Sequence, residues 1–467
     1  MATVNGTNGN DNLVGTPLAD TLRGRGGDDT LTGLGGDDRI IGNGGNDLII
    51  WNDGDDSDRI SGRRGNDTVQ INGDPNVGDD FIITDDGNKQ VTVQRVEGTQ
   101  SPIGIVDDVL GGGTEPFSLD IDGIERLEIN GFGGNETFTT DMSIDDQIKQ
   151  VYNAGQGIDT IDLSNLDTGV FVDTDLNSRG FAGLPDQQGF VRFASDFDPD
   201  VDGAAVVNSP DPLPPQIDIN DFEGIIGTDF DDILFGGQEN DTIFGGAGDD
   251  AVHPFAGVNF IDGEEGTDTL LLNALPVGVL TDLVTGVAGN NVINGIENVQ
   301  GSDVGGDIIN GDSLANLLDG NGGSDTLRGG RGRDTLLGED GNDILFGGRG
   351  ADSLSGGAGT DIIEGGGGRD TISGAENTSG LDQLSGGGGR DTFILGDGIN
   401  TAQVQILDFQ PGRDIITLPG DLDVNLQPAV GGTDIIVEGS TAVATVLGLD
   451  PTQLVLTAAD GLDILIT

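Results

Sequence analysis

The residue with the most evident chemistry in this sequence is aspartate, because its spacing is regular. Between Gly320 and Ile394 an aspartate recurs at every ninth residue: Asp325, Asp334, Asp343, Asp352, Asp361 and Asp370, with Asp391 following after an interruption. Five residues before each stands a glycine: Gly320, Gly329, Gly338, Gly347, Gly356, Gly365 and Gly386. Counting that glycine as place one, further glycines fill place two (Gly330, Gly348, Gly357), place three (Gly322) and place four (Gly332, Gly350, Gly359). A carboxylate is a hard anionic oxygen donor and a main-chain carbonyl a hard neutral one, and Ca2+ takes both. Glycines at places one, two and four read as positive-φ positions, which turn the chain sharply and leave carbonyls facing a shared space. These aspartates and glycines are the candidate calcium ligands, and they form many sites.

Something must hold the ligands in phase. Place eight is aliphatic throughout: Leu327, Leu336, Leu345, Leu354, Ile363 and Ile372. It reads as the inward residue of a very short strand. One aliphatic side chain per nine residues makes a thin core, so stacked coils need a further staple, and the metal is the candidate. A flexible glycine-rich linker is the competing reading, but a linker does not keep aspartate and leucine in register. A first array runs from about Gly6 to Gln70, with place-six acids Asp11, Asp20, Asp29, Asp38, Asp47, Asp58 and Asp67. Its first two units lack doubled glycines and read as a weak cap; the stretch Trp51–Ser61 is too long for the period and implies a bulged turn. A short array from Gly227 to Leu271 carries Asp232, Asp241, Asp250 and Asp268, with Asn259 standing at one aspartate place and weakening that site.

The repeat Gly-Gly-x-Gly-x-Asp-x-apolar-x resembles that of the haemolysin-type calcium-binding RTX family. The resemblance covers roughly half the chain. It implies an all-β fold, a right-handed parallel β-roll or β-solenoid with two repeats per coil and Ca2+ between neighbouring turns. On that geometry the three arrays hold about sixteen ions before degenerate units are discounted. It also implies secretion through a type I exporter that reads an uncleaved C-terminal signal; the acidic, apolar tail Asp460–Thr467 is similar to such signals.

Between the arrays the period is lost. Asp80-Phe-Ile-Ile and Gln90-Val-Thr-Val-Gln alternate like hairpin strands around Asp86-Gly87. Ile144–Tyr152 is the one segment that reads as a helix. A longer internal repeat links Gly155–Ile161 and Phe222-Glu223 with Gly263–Leu270 and Ile296-Glu297. These read as wider coils of the same solenoid, with a separate catalytic domain as the competitor. From Leu395 alternation takes over and predicts an antiparallel β cap over the open solenoid end. The expected division is 1–70 array I, 71–226 irregular β-rich insert, 227–271 array II, 272–300 wider connecting coil, 301–394 array III and 395–467 cap.

Composition narrows the chemistry. The chain has 467 residues, 85 of them glycine, no cysteine and a formal net charge of −63. That charge argues against nucleic acid and anionic membranes as partners and for cations. Without cysteine there is no disulfide or zinc-thiolate site. No apolar run is long enough to span a membrane, and the first residues do not read as a signal peptide. His253 is the only histidine, which speaks against a Ser-His-Asp triad or a His-Glu-x-x-His zinc site; it reads as structural. The stretch Asp198-Pro-Asp200-Val-Asp202-Gly203 fits half of an EF-hand-type loop, but the twelfth place is Ser209; it is either a loop-type calcium site or a solvated acidic loop.

The sequence therefore reads as an extracellular, calcium-dependent β-roll protein without catalysis, structural or adhesive at a cell surface or in a matrix. Its expected partners are calcium, the exporter, and cell-surface polysaccharide or further copies of itself. The rival is an extracellular enzyme acting on polysaccharide, with its site between residues 71 and 226.

Overall fold

The computed structural model describes residues 2–73, 80–85, 90–96, 118–122, 126–133, 136–140, 149–156, 159–164, 170–173, 189–193, 217–220, 222–237, 240–273, 275, 277–375, 380–395, 403–419, 424–437, 442–454, 456–459 and 463–466. Contacts divide the chain into two compact units, Met1–Gly266 and Thr267–Thr467. Each is a stack of short strands whose dominant pairing is parallel. Among the described residues the one helical element is the 3-10 turn Pro451–Gln453, and no helix is long and apolar enough to cross a membrane.

The nine-residue period explains the stack. Place eight carries the inward side chain, and successive repeats face opposite sheets, so a coil takes two repeats. In the second unit Leu327 pairs with Leu345 and Leu345 with Ile363 on one sheet. Leu318, Leu336, Leu354, Ile372 and Phe393 stack likewise on the other. In the first unit Leu22, Ile40 and Ile60 form one column and Leu13, Leu31, Ile49 and Val69 the other. All of these side chains are buried. The expected bulge past Trp51 is present, and a second interrupts the array before Asp391. The coil spacing grows from 18 to 20 residues past Trp51, and to 21 across the Gly374–Ser385 stretch. Trp51 is buried, with its indole N–H donating to the Asp56 carbonyl at 2.9 Å.

The irregular region belongs to the first unit's solenoid where it is described. Asp80–Asp85 and Gln90–Val96 pair antiparallel as expected, the Asp86-Gly87 turn lying outside the described residues. Ser118–Asp122 then pairs antiparallel with Gln90–Val96 and parallel with Arg59–Arg64, which returns the chain to the coil. The wider coils hold a larger core: Phe138 lies 5.2 Å from Phe81, 5.4 Å from Tyr152 and 5.3 Å from Phe222, centroid to centroid. A column of asparagines runs up one sheet, with Asn72, Asn130 and Asn153 each donating its side-chain amide to the asparagine below.

Two expectations need correction. Residues 149–152 are not helical: Lys149–Gln156 is a strand in parallel register with Arg126–Gly133, and residues 144–148 lie outside the described set. Burial of Val151, Tyr152 and Ala154 together with the asparagine column outweighs local helix preference there. At the C-terminus parallel stacking outlasts residue 395. Gln403–Ile406 continues one sheet and Ile415–Pro419 the other. Antiparallel pairing begins with Val424–Ala429 against Gly432–Val437, and Asp463–Ile466 runs antiparallel to Ile415–Pro419.

Candidate metal centre

The place-six carboxylates form continuous ladders. In the second unit the Asp307 N–H donates to Asp325 Oδ1 at 2.6 Å, Asp325 to Asp343 at 2.8 Å, Asp343 to Asp361 at 2.9 Å and Asp361 to Asp382 at 3.0 Å. On the other sheet Asn316, Asp334, Asp352, Asp370, Asp391 and Asp414 repeat the pattern at 3.0–3.2 Å. The first unit has the same rungs: Asp11 to Asp29 to Asp47 to Asp67, and Asp20 to Asp38 to Asp58. Asp232 donates to Asp250, and Asp241 to Asn259 Oδ1. One carboxylate oxygen per rung is thus committed to the protein. The other oxygen, Oδ2, is buried and has no hydrogen-bond partner in Asp29, Asp38, Asp47, Asp325, Asp334, Asp343, Asp352, Asp361, Asp370, Asp382 and Asp391. A buried anionic oxygen left so is costly unless a cation meets it.

Asn259 shows what else faces that oxygen. It occupies place six, and its side-chain amide donates to the carbonyls of Pro254 and Ala256, both at 3.0 Å. Those are places one and three of its own repeat. Where asparagine replaces aspartate, an electropositive N–H2 fills the space and satisfies two main-chain oxygens. Where aspartate stands there, carbonyls and carboxylate together are an all-oxygen donor set for a hard cation. Among the described residues no three acidic or histidine side chains converge as a metal-holding group, so the carbonyls must supply most of the donors.

The calcium-binding nonapeptide repeat of the RTX family, haemolysin type, matches residues 5–33, 14–49, 52–70, 226–253, 302–336, 337–372 and 378–402. The arrays are RTX calcium-binding nonapeptide repeats. The matched segments make up less than half of the chain's length and fall on the arrays. No curated protein matches the chain.

The RTX glycines divide by place. Many of those at places two and four take positive φ, as Gly330 (+96°), Gly348 (+98°) and Gly357 (+88°), and Gly332 (+138°) and Gly359 (+140°) do. Place-one glycines do not, which corrects the expectation for Gly320, Gly329, Gly338, Gly347, Gly356, Gly365 and Gly386. Their reason is space. A Cβ on Gly329 would lie 2.4 Å from Asp334 Oδ2, and one on Gly338 would lie 2.7 Å from Asp343 Oδ2 and 2.4 Å from the Gly356 carbonyl oxygen. The missing Cβ leaves a cradle lined by oxygens. Gly322 and Gly350 are held by close approach of the neighbouring coil, Asp303 O at 2.5 Å and Gly332 O at 1.8 Å from a notional Cβ.

Burial raises the pKa of several of these carboxylates in the metal-free chain. It pushes Asp58 up to about 8 and Asp343 to about 7. Asp38, Asp325, Asp334, Asp370 and Asp382 rise to about 6 for the same reason. The backbone N–H on Oδ1 opposes the rise, and neighbouring carboxylates on the ladder add to it.

Several rungs were not legible as such. Asp382 and Asp414 take ladder places, the one in the interruption before Asp391 and the other in the expected cap. The wider coils keep the ladder with glutamate. Glu223 Oε2 accepts from the Asp159 N–H, and Glu297 Oε2 from the Asp268 N–H, both at 2.9 Å. The Ile-Glu and Phe-Glu pairs of the longer internal repeat were the available signal. The Asp198–Gly203 stretch lies outside the described residues. His253 is buried, its ring 4.0 Å from that of Phe255 and 5.4 Å from that of Phe235, a packing role as expected.

Proposed function

We propose that this protein is secreted and folds on meeting extracellular Ca2+, and that it serves as a structural or adhesive component of a cell surface or matrix. The observation that carries the reading is the set of buried Oδ2 atoms without hydrogen-bond partners, stacked up both sides of the coils. On this reading residues 1–70, 227–271 and 301–394 are the metal-taking parts. Asp29, Asp38, Asp47, Asp67, Asp250, Asp325, Asp334, Asp343, Asp352, Asp361, Asp370 and Asp391 give the carboxylates, and the turn carbonyls give the remaining donors. Calcium supplies the positive charge that a chain of net charge −63 lacks. In calcium-poor cytosol the carboxylates repel one another and the chain stays export-competent for a type I exporter; outside, the coils close. The finished roll then presents its surface to polysaccharide or to further copies.

Native mass spectrometry with light scattering in millimolar Ca2+ tests this. The reading expects many bound ions and calcium-dependent association with itself or with polysaccharide. Binding of only one or two ions would reject it. Calcium-independent cleavage of a polysaccharide by residues 71–226 would instead return the enzyme reading.

A further inference from the structure

The turns that present these aspartates exist in two states, and the residue at place two separates them. In one state place two is left-handed: Arg25 (+85°), Leu34 (+66°), Asn43 (+82°), Asn321 (+59°), Gly330 (+96°) and Glu339 (+66°). The aspartates of those repeats, from Asp29 to Asp343, all have the unpartnered Oδ2. Gly348, Gly357, Gly366 and Gly387 continue the correlation with Asp352, Asp361, Asp370 and Asp391.

In the other state place two is not left-handed, and its own N–H donates to the place-six side chain. Thr7 does this at Asp11 (2.5 Å), Thr16 at Asp20 (2.8 Å), Thr228 at Asp232 (2.6 Å) and Ser302 at Asp307 (2.8 Å). Each hydroxyl adds a second bond to the same carboxylate, at 2.9, 2.7, 3.0 and 2.9 Å in turn. Gly237 at Asp241 and Asp312 at Asn316 make the N–H bond alone. These six repeats open the three arrays, two to each, one on either sheet. Gln410 closes the last rung, Asp414, in the same way at 2.8 Å.

The physical difference is a turned peptide. A trans peptide carries its N–H and C=O on opposite sides. An N–H aimed at the carboxylate therefore turns the place-one carbonyl away and fills the space with positive charge. In the open state the N–H leaves: that of Arg25 donates to the Gly42 carbonyl of the next coil instead. We infer that place two selects which repeats take metal. Threonine or serine there closes the turn with hydrogen bonds, so every array opens with a coil that needs no calcium, and ions enter only beyond it. This inference rests on the calcium-binding reading and reassigns Asp241 from ligand to closed rung. Gly237 shows that glycine allows either state, whereas a β-branched residue resists the left-handed one.

The test is the number of Ca2+ ions bound to the full chain, by native mass spectrometry. Glu339→Thr and Leu34→Thr each recreate the Gly-Thr pattern in an open repeat, and each should bind at least one ion fewer than wild type. Glu339→Asn, which keeps a residue tolerant of positive φ, should retain the wild-type number. Thr228→Asn and Ser302→Asn should each gain at least one ion, since Asn43 and Asn321 hold the open turn. Unchanged numbers in the threonine variants would overturn the inference. Should those variants fail to fold, unchanged numbers in Thr228→Asn and Ser302→Asn would do the same. A wild-type chain that binds no more than two ions would instead defeat the calcium-binding reading itself.

Discussion

Asp343 is the most informative single residue. It accepts from the rung below, donates to the rung above, and keeps a buried second oxygen unpartnered. Asn259 indicates what its amide would do: donate to the carbonyls at places one and three. Asp343→Asn should therefore bind at least one ion fewer yet keep its coil, while Asp343→Ala should also raise the calcium midpoint of folding. Asp198→Ala, outside the nonapeptide repeats of the sequence, should shift that midpoint much less. Calcium titrations followed by circular dichroism would rank the three, and equal shifts would contradict the assignment. Protonation gives a second prediction. In the folded, metal-free chain Asp38, Asp343 and Asp58 are raised from the ordinary aspartate value to about 6, 7 and 8, so between the ordinary value and those limits the folded state binds more protons than the unfolded chain. Stability of the metal-free fold must then fall as pH rises through that window. In calcium-free buffer, strand content should be higher at pH 4.5 than at pH 7.5, and the reverse order would contradict the burial of these groups.

At the scale of the turn and strand, glycine has two separable roles. Gly359 has φ +140°, and a Cβ there would lie 1.5 Å from the Gly341 carbonyl oxygen; Gly412 has φ +77° and open space around it. Gly412→Ala should cost about 1–2 kcal/mol of backbone strain alone, whereas Gly359→Ala must also push two coils apart and should cost several times more in a denaturant titration. Much of this level was legible in the sequence. The place-eight residues and the aspartates announced themselves because their period holds within an array except at the two bulges. The wider coils were harder to read because their rungs are glutamates separated by variable lengths of chain: Glu223 answers Asp159 across 64 residues and Glu297 answers Asp268 across 29. Residues 149–152 misled for a different reason. Their local pattern suits a helix, and only pairing with the distant Arg126–Gly133 makes them a strand. The closed turns showed in the sequence only as missing doubled glycines, since the peptide orientation that distinguishes them depends on the folded carboxylate.

For the whole molecule the question is what pays for order. Each repeat buries one aliphatic side chain, about 1.5–3 kcal/mol, while fixing nine backbones costs roughly 1 kcal/mol or more per residue. Ladder hydrogen bonds narrow the gap, but each rung also buries a carboxylate, and the net charge of −63 opposes compaction. Cation binding must supply the remainder, and many linked sites make the transition cooperative. The most direct test is far-ultraviolet circular dichroism of the full chain, first in chelator at neutral pH and then in millimolar Ca2+. The account predicts a largely unfolded spectrum that converts to a strand-rich one in a single steep calcium transition. Identical strand-rich spectra in both conditions would contradict it.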